Sequence, residues 1–279
     1  MKGALVSMEA ALDTLSSMER QAAKYIIEHP SEVVNLSVQQ LALRAEVSEA
    51  TIVRLAKSLK FKGYTDLKLR ISADLSAAGE GITDYQPFKV GHSIQELMES
   101  VTNNNIKSIH DTMDVIDVEA VAQAVESLNA ARKIAVFGVG ASSIIAEDFR
   151  LKVNRINKWC ESASSGDMQA VVAANLSQQD VVIGISYSGN NQDVLHALKL
   201  AKANGAKIIS LTHFGINPIS ELSDIQLYTS SLEQNFRKGA MASRIAQLNV
   251  IDMLYVGMVV QNYESSTASI ERTQNAVRR

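Results

Sequence analysis

Up to about Leu75 the apolar positions recur three and four residues apart and β-branched runs are few, so this part of the chain predicts helices throughout. The periodicity is lost between Ser76 and Ser93, where Gly79, Gly81, Pro87 and Gly91 gather as they do in linkers. Two further helical stretches follow, Ser93 to Met113 and Val118 to Ala130. The pattern then changes to short apolar runs, KIAVFG, DVVIGIS, AKIISLT and DIQLYTS, with a weaker one around KWCES, alternating with amphipathic segments. Runs buried on both faces and separated by helices predict a parallel sheet covered by helices on each side. From Gly239 onward the chain is helical again, and no internal repeat or low-complexity segment interrupts it.

The expected fold class is therefore α followed by α/β. An all-α domain over 1–75 is joined by a linker, 76–92, to a doubly wound parallel-sheet domain over 93–279. An apolar fraction of 46% and a charged fraction of 20% describe an ordinary globular chain and exclude a disordered one. No window reaches the roughly 18 apolar residues of a membrane span, and Glu9 and Asp13 interrupt any signal-peptide core, so no membrane partner and a cytoplasmic location are expected. The single cysteine, Cys160, permits no intramolecular disulfide and fits a buried structural role. The five histidines, His29, His92, His110, His196 and His213, are scattered without metal-ligand spacing, so neither a metal nor another cofactor is expected.

A net charge of −3 argues against a protein that coats nucleic acid, but the local balance differs. From Arg44 to Arg70, seven cations face three carboxylates, a net of +4. This stretch contains SVQQLALRAEVSEATIVRLAKSLKFKGY, which reads as two short helices around a tight turn. Ser37 with Gln40 forms a capping box for the first helix, and Ser48 caps the second. Ala45, Glu46 and Val47 make the turn. On the second helix Ile52, Leu55, Ala56 and Leu59 share the face expected against the core. Ala50, Thr51, Arg54 and Lys57 are expected to point outward, where a small residue, a hydroxyl and two cations suit the major groove. Lys60, Lys62 and Lys68 would hold backbone phosphates. The competing reading of this segment is a helical hairpin with a solvated basic face.

Two strand-end turns carry the other candidate chemistry. After KIAVF come Gly138, Val139, Gly140, Ala141, Ser142 and Ser143, then a helix. Glycines there let backbone amides approach an anion at a helix N-terminus. A dinucleotide-binding turn competes, with Glu161 as its acidic partner, although Ser143 stands where that motif has its third glycine. After DVVIGIS come Ser186, Tyr187, Ser188, Gly189, Asn190 and Asn191, offering hydroxyls and amides to a phosphate monoester. The competing reading is that these serines only form turns and caps. Two such turns in one parallel-sheet domain point to a small anionic ligand in the crevice outside the sheet.

Taken together, ERQAAKYIIEHP, SEATIVRLAKSLKFKGYTDLKLR, GVGASS, ISYSG and SRIAQLNVIDMLY resemble the RpiR family of bacterial regulators, over nearly the whole chain. In that family a helix-turn-helix is joined to a sugar isomerase (SIS) domain of flavodoxin-like topology. The resemblance implies a transcriptional regulator that binds double-stranded operator DNA as a homodimer or homotetramer and answers a phosphorylated sugar. It implies that Ser142, Ser143, Ser186, Ser188, Gly189 and Asn191 line a phosphate pocket, with Ser243 and Arg244 near the ligand. Asn191 stands where the family's pattern carries Thr, and Asp167 where relatives often have His; both departures touch the sugar end. Relatives nearest in ISYSG and the helix after it respond to amino-sugar phosphates such as N-acetylmuramic acid 6-phosphate.

The alternative of another class is an aldose-ketose isomerase, which needs a base near the carbon-bound proton. Asp167 and Glu233 are the available carboxylates, and neither sits in a recognisable acid-base pair. A dinucleotide-dependent oxidoreductase using Gly138, Gly140 and Glu161 ranks last, and no catalytic residue is expected.

Overall fold

The structure, a computed structural model, describes residues 3–77, 91–230 and 241–278. Its described residues fall into two compact units. The first holds 3–77, 91–115, 214–216, 230 and 241–242, and the second holds 116–213, 217–229 and 243–278.

In the first unit the helices are α1 (Ala4–Ala11), α2 (Ser17–Glu28), α3 (Pro30–Val33), α4 (Val38–Arg44), α5 (Glu49–Ser58), α6 (Tyr64–Ala77) and α7 (Ile94–Val115). The starts of α4 and α5 follow from side chains that satisfy the N–H groups left open in a first turn. Ser37 accepts from Gln40 N–H while Gln40 reaches back to the Ser37 amide at 2.8 Å, and Ser48 accepts from Thr51 N–H at 3.2 Å. Ile26, Leu41, Ile52, Leu55, Leu59, Leu67 and Ile71 are fully buried and make the core of this unit. Helix α5 packs on α2, α4 and α6, which fixes its outer face. The linker residues Gly79, Gly81 and Pro87 lie outside the described residues. The pattern-based boundary places α7 with the second domain, whereas the structure sets it with the first unit. It packs on α1, and the Gly3 amide donates to the Asp114 carbonyl at 3.1 Å.

The second unit contains α8 (Val118–Ala130), β1 (Ile134–Phe137), α9 (Ala141–Asn154), β2 (Cys160–Ala163), α10 (Gly166–Ala174), β3 (Val181–Ser186), α11 (Gln192–Ala203), β4 (Lys207–His213), α12 (Pro218–Leu222), β5 (Ile225–Thr229), α13 (Met241–Gln261) and α14 (Tyr263–Val277). Only the first two residues of α13 belong to the first unit. The five strands are the five apolar runs of the sequence, all parallel, in the order β2-β1-β3-β4-β5. Alternate side chains build two cores. Val136, Ile183, Ile209 and Leu227 meet Leu128 of α8, Phe149 of α9 and Leu254 of α13 on one face. On the other face Phe137, Val182 and Ile208 meet Ala173 of α10, Leu198 of α11 and Ile219 of α12. The chain goes outward from β1 to β2 and then returns to place β3 on the other side of β1. A crevice at the carboxyl ends of β1 and β3 is the consequence, and ligands of such sheets bind at that reversal.

Candidate functional sites

The first site is the outer face of α5. Helix α4 ends in a backbone motif that turns the chain sharply, with Val47 N–H bonded to the Ala42 carbonyl at 2.9 Å and Glu46 in the left-handed region at φ 54°. The end of α5 repeats the device, with Phe61 N–H on the Ala56 carbonyl at 2.8 Å and Lys60 at φ 67°. Two residues that are not glycine thus hold positions glycine usually takes.

Ser48, Ala50, Arg54, Lys57, Lys60 and Lys62 are exposed on or beside α5. Thr51 is not: it is 2% exposed, which corrects its outward assignment. It precedes Leu55 by one helical turn and shares its inner face, and its hydroxyl lies 2.9 Å from that of Ser48. The Thr51 hydroxyl also accepts from Arg54 Nη2 at 3.0 Å, so this residue orients the outward guanidinium. Lys62 lends its amide to Asp66 at 3.0 Å at the start of α6, leaving the side chain exposed. Lys68 donates to the Leu36 carbonyl at 2.9 Å, Arg44 pairs with Glu32 and Arg70 lies near Asp66. These three cations therefore serve the fold as well as the local charge.

The second site lies at the carboxyl ends of β1 and β3. Phe137 is paired with Gly184, so Ser186 at the end of β3 stands level with the turn that follows β1. Gly138 has no room for a side chain, because a Cβ would fall 2.6 Å from the Ser142 carbonyl oxygen. Gly140, at φ 61°, is the N-cap of α9 and contributes no side-chain cap. The first amides of this 14-residue helix are thus left without a capping side chain, the arrangement that favours an anion. Ser142 is buried, and Ser143 donates its hydroxyl to the Gly140 carbonyl at 2.7 Å.

At the second turn Ser186 is buried, while Ser188 is exposed and its hydroxyl accepts from Asn190 N–H at 3.3 Å. Asn191 caps α11, accepting from Val194 N–H at 3.0 Å, a task that Thr also performs, though less favourably. Asp167 sits exposed in the first turn of α10, after β2, where the neighbouring Gly166 packs on the Asp193 side chain of α11. Ser243, buried, and Arg244, half-buried, are in the first turn of α13. Ser142, Ser143, Ser186, Ser188, Gly189 and Asn191 are thus brought to adjacent strand ends, and Asp167 to the end of the next strand outward. Glu233 lies outside the described residues.

Three residues to which the sequence pattern gives no role at these turns support them. Asn217 is buried, donates to the Thr212 hydroxyl at 3.1 Å and packs against Gly189. Gln169 is fully buried and donates to the carbonyls of Gly138 and Ala163, tying the ends of β1 and β2 together. His213 at the end of β4 meets the Tyr187 ring edge-on at 5.0 Å. Their types carry no signal by spacing, because each acts across a sheet or a loop.

A helix-turn-helix and a doubly wound sheet with paired serine turns in one chain define the class of HTH-type transcriptional regulators. The chain belongs to the RpiR family: residues 2–78 match the helix-turn-helix domain of the rpiR family, and residues 127–257 match the SIS domain. An HTH-type transcriptional regulator of Caldanaerobacter subterraneus is 38% identical over 93% of this chain and 91% of its own. The HTH-type transcriptional regulator YbbH of Bacillus subtilis is 35% identical over 99% and 97%. Among solved structures, the NanR protein of Vibrio vulnificus complexed with ManNAc-6P is 29% identical, with a TM-score of 0.62 over 99% of this chain and 98% of that one. Among the described residues, no helix is long and apolar enough to cross a membrane.

Proposed function

We propose that this regulator binds operator DNA through α5 and changes its affinity for that DNA when an amino-sugar 6-phosphate occupies the carboxyl ends of β1 and β3. The observation that carries the reading is the pair of serine-bearing turns at the reversal of strand order, one opening on the uncapped amides of α9. Likeness to NanR, which holds ManNAc-6P, along almost the whole chain supports the class of ligand. In this reading the phosphate is met by Ser142, Ser143, Ser186, Ser188, the Gly189 amide and the turn at Asn191, and Asp167, Ser243 and Arg244 lie towards the sugar. N-acetylmannosamine 6-phosphate and N-acetylmuramic acid 6-phosphate are the first two compounds to try.

On DNA, Arg54, Lys57 and Ala50 face base edges, Ser48 lies at the groove edge, and Lys60 and Lys62 meet phosphates. A homodimer or homotetramer places two α5 helices on a palindromic site. Residues 1–75 do the DNA-binding work and 93–279 carry the sensing sheet, with 76–92 and α7 between the two. In this reading the protein senses its ligand and does not turn it over, which is supported by relatives that match over nine-tenths of the chain and are HTH-type transcriptional regulators.

The test uses a duplex selected in vitro from random sequence with the full chain. Its affinity should change at least fivefold when either sugar phosphate is added, while the sugar phosphate itself is recovered unaltered. Interconversion of the sugar, abolished by Asp167→Asn, would establish the isomerase reading instead.

A further inference from the structure

Helix α7 buries its polar side. Ser100, Asn104, Ser108, Asp111 and Thr112 are buried, whereas Ile94, Met98, Ile106 and Met113 are exposed. Polar groups are costly to bury without partners, so a face of this kind marks a polar contact that the fold depends on. For Thr112 and Ser108 the partners are Ser230, just after β5, and Ala242, in the first turn of α13, whereas Asp111 pairs with Lys107 of α7 itself at 3.1 Å. Thr112 Oγ1 accepts from Ser230 N–H at 3.1 Å and lies 3.1 Å from the Ser230 carbonyl, and Ser108 Oγ lies 3.1 Å from the Ala242 carbonyl. Ser230 directly follows β5, and Ala242 directly precedes Ser243 and Arg244.

Each hydroxyl has a second acceptor within its own helix. Thr112 Oγ1 is 2.7 Å from the Ser108 carbonyl, and Ser108 Oγ is 2.9 Å from the Asn105 carbonyl. A hydroxyl carries one proton, so each can donate either across to that partner or back into α7. The same, C-terminal end of α7 also meets the N-terminal helices. Gly3 N–H bonds to the Asp114 carbonyl at 3.1 Å, and Leu5 N–H bonds to Asp74 of α6 at 2.9 Å. Helix α1 thus packs on both α6 and α7, and α6 packs on the DNA-facing α5.

We infer that Ser108 and Thr112 are positioning residues that transmit ligand occupancy to the helix-turn-helix, by exchanging their donor bonds between Ala242 and Ser230 on one side and the carbonyls of α7 itself on the other. The inference rests on the sugar-phosphate reading above. A ligand shifts such an equilibrium only by its differential affinity for the two arrangements, so removing the exchange uncouples the sites without emptying either.

The test measures operator affinity with and without N-acetylmannosamine 6-phosphate or N-acetylmuramic acid 6-phosphate, and sugar-phosphate affinity by calorimetry. It compares the full-length wild type with Thr112→Val, Thr112→Ser and Ser108→Ala. Thr112→Val and Ser108→Ala should bind the sugar phosphate within twofold of wild type and free operator within threefold. The ratio of operator affinities with and without sugar should fall towards one in both. Thr112→Ser, which keeps the hydroxyl, should keep the wild-type ratio. Should Thr112→Val fail to fold, the ratio for Ser108→Ala decides. A wild-type ratio in Ser108→Ala, or in a folded Thr112→Val, overturns the inference, as does loss of sugar binding in either, which would make the hydroxyls supports of the pocket. If the wild type itself ignores both compounds, the sugar-phosphate reading falls and takes this inference with it.

Discussion

Gly189 lies directly against the side chain of Asn217: a Cβ at position 189 would fall 2.0 Å from Asn217 Oδ1. Asn217 cannot yield, because its Oδ1 takes the Ser220 amide at 2.9 Å and its Nδ2 donates to Thr212 at 3.1 Å. Gly189 also has φ 66°, in the region where side chains are strained. Gly189→Ala should therefore cost about 2 to 4 kcal/mol, combining left-handed strain with overpacking. Asn217→Ala, which loses the cap of α12 and a buried hydrogen bond, should cost about 1 to 2 kcal/mol. Both should weaken sugar-phosphate binding along with stability, measured by chemical denaturation and calorimetry. A Gly189→Ala protein of wild-type stability would mean that the turn is looser than its packing shows.

At the DNA face, Arg54→Ala should cost roughly 1 to 3 kcal/mol on the selected operator and little on random duplex. Thr51→Val should move affinity in the same direction by less, because it frees the guanidinium without removing it. Lys60→Ala or Lys62→Ala should weaken all sequences alike and lower the salt slope by about one unit each. Binding titrated at several salt concentrations separates these cases. Equal losses on operator and random DNA for Arg54→Ala would reassign Arg54 to a phosphate.

The turn between α4 and α5 holds Glu46 at φ 54°, which is unfavourable for any side chain by roughly 1 to 2 kcal/mol. Glycine removes that strain and adds about 0.5 to 1 kcal/mol of unfolded-state entropy. Glu46→Gly should thus stabilise the protein slightly, by about 0.5 kcal/mol, read as a higher denaturation midpoint. A lower midpoint would show that the glutamate side chain contributes more than the backbone strain costs.

Burial pushes the Cys160 thiol up to about 12, far from the range in which thiolates form at neutral pH. Native protein at pH 7 should accordingly react with a thiolate-directed reagent at least a hundredfold more slowly than the denatured chain. Rapid stoichiometric labelling of the folded protein would contradict the buried position of this side chain.

The five strands, the parallel sheet and the two capped helices were legible because each depends on local pattern. Apolar runs such as VVIGIS must be buried on both faces, and Ser37 and Ser48 satisfy amides within three residues of themselves. Thr51 reads as outward because it is a polar residue at the margin of the apolar face of an amphipathic helix, and only its position one turn before Leu55 places it inward. Glu46 was recognised as a turn residue, but its left-handed backbone has no mark in a residue that is not glycine. Asn217, Gln169 and the polar face of α7 act across long sequence separations, with Thr112 and Ser230 118 residues apart. No periodicity announces such contacts, and a buried Ser or Thr on an amphipathic helix looks like a solvated one. Of the candidate site, the serine-bearing strand-end turns are readable from local pattern, while the residues bracing them are not.

The central claim, that a sugar phosphate seated on the β1 and β3 turns controls DNA binding, is tested most directly by removing the Ser186 and Ser188 hydroxyls together. Operator affinity is measured for wild type and for the Ser186→Ala/Ser188→Ala protein while N-acetylmannosamine 6-phosphate or N-acetylmuramic acid 6-phosphate is titrated in. Hydrogen bonds to a charged group contribute about 1.5 to 3 kcal/mol each, so the double variant should need at least roughly a hundredfold more sugar phosphate for the same response. Its operator affinity without ligand should stay near the wild-type value. A double variant that folds and answers the sugar phosphate at wild-type concentrations would contradict the account, because the phosphate would then be bound elsewhere.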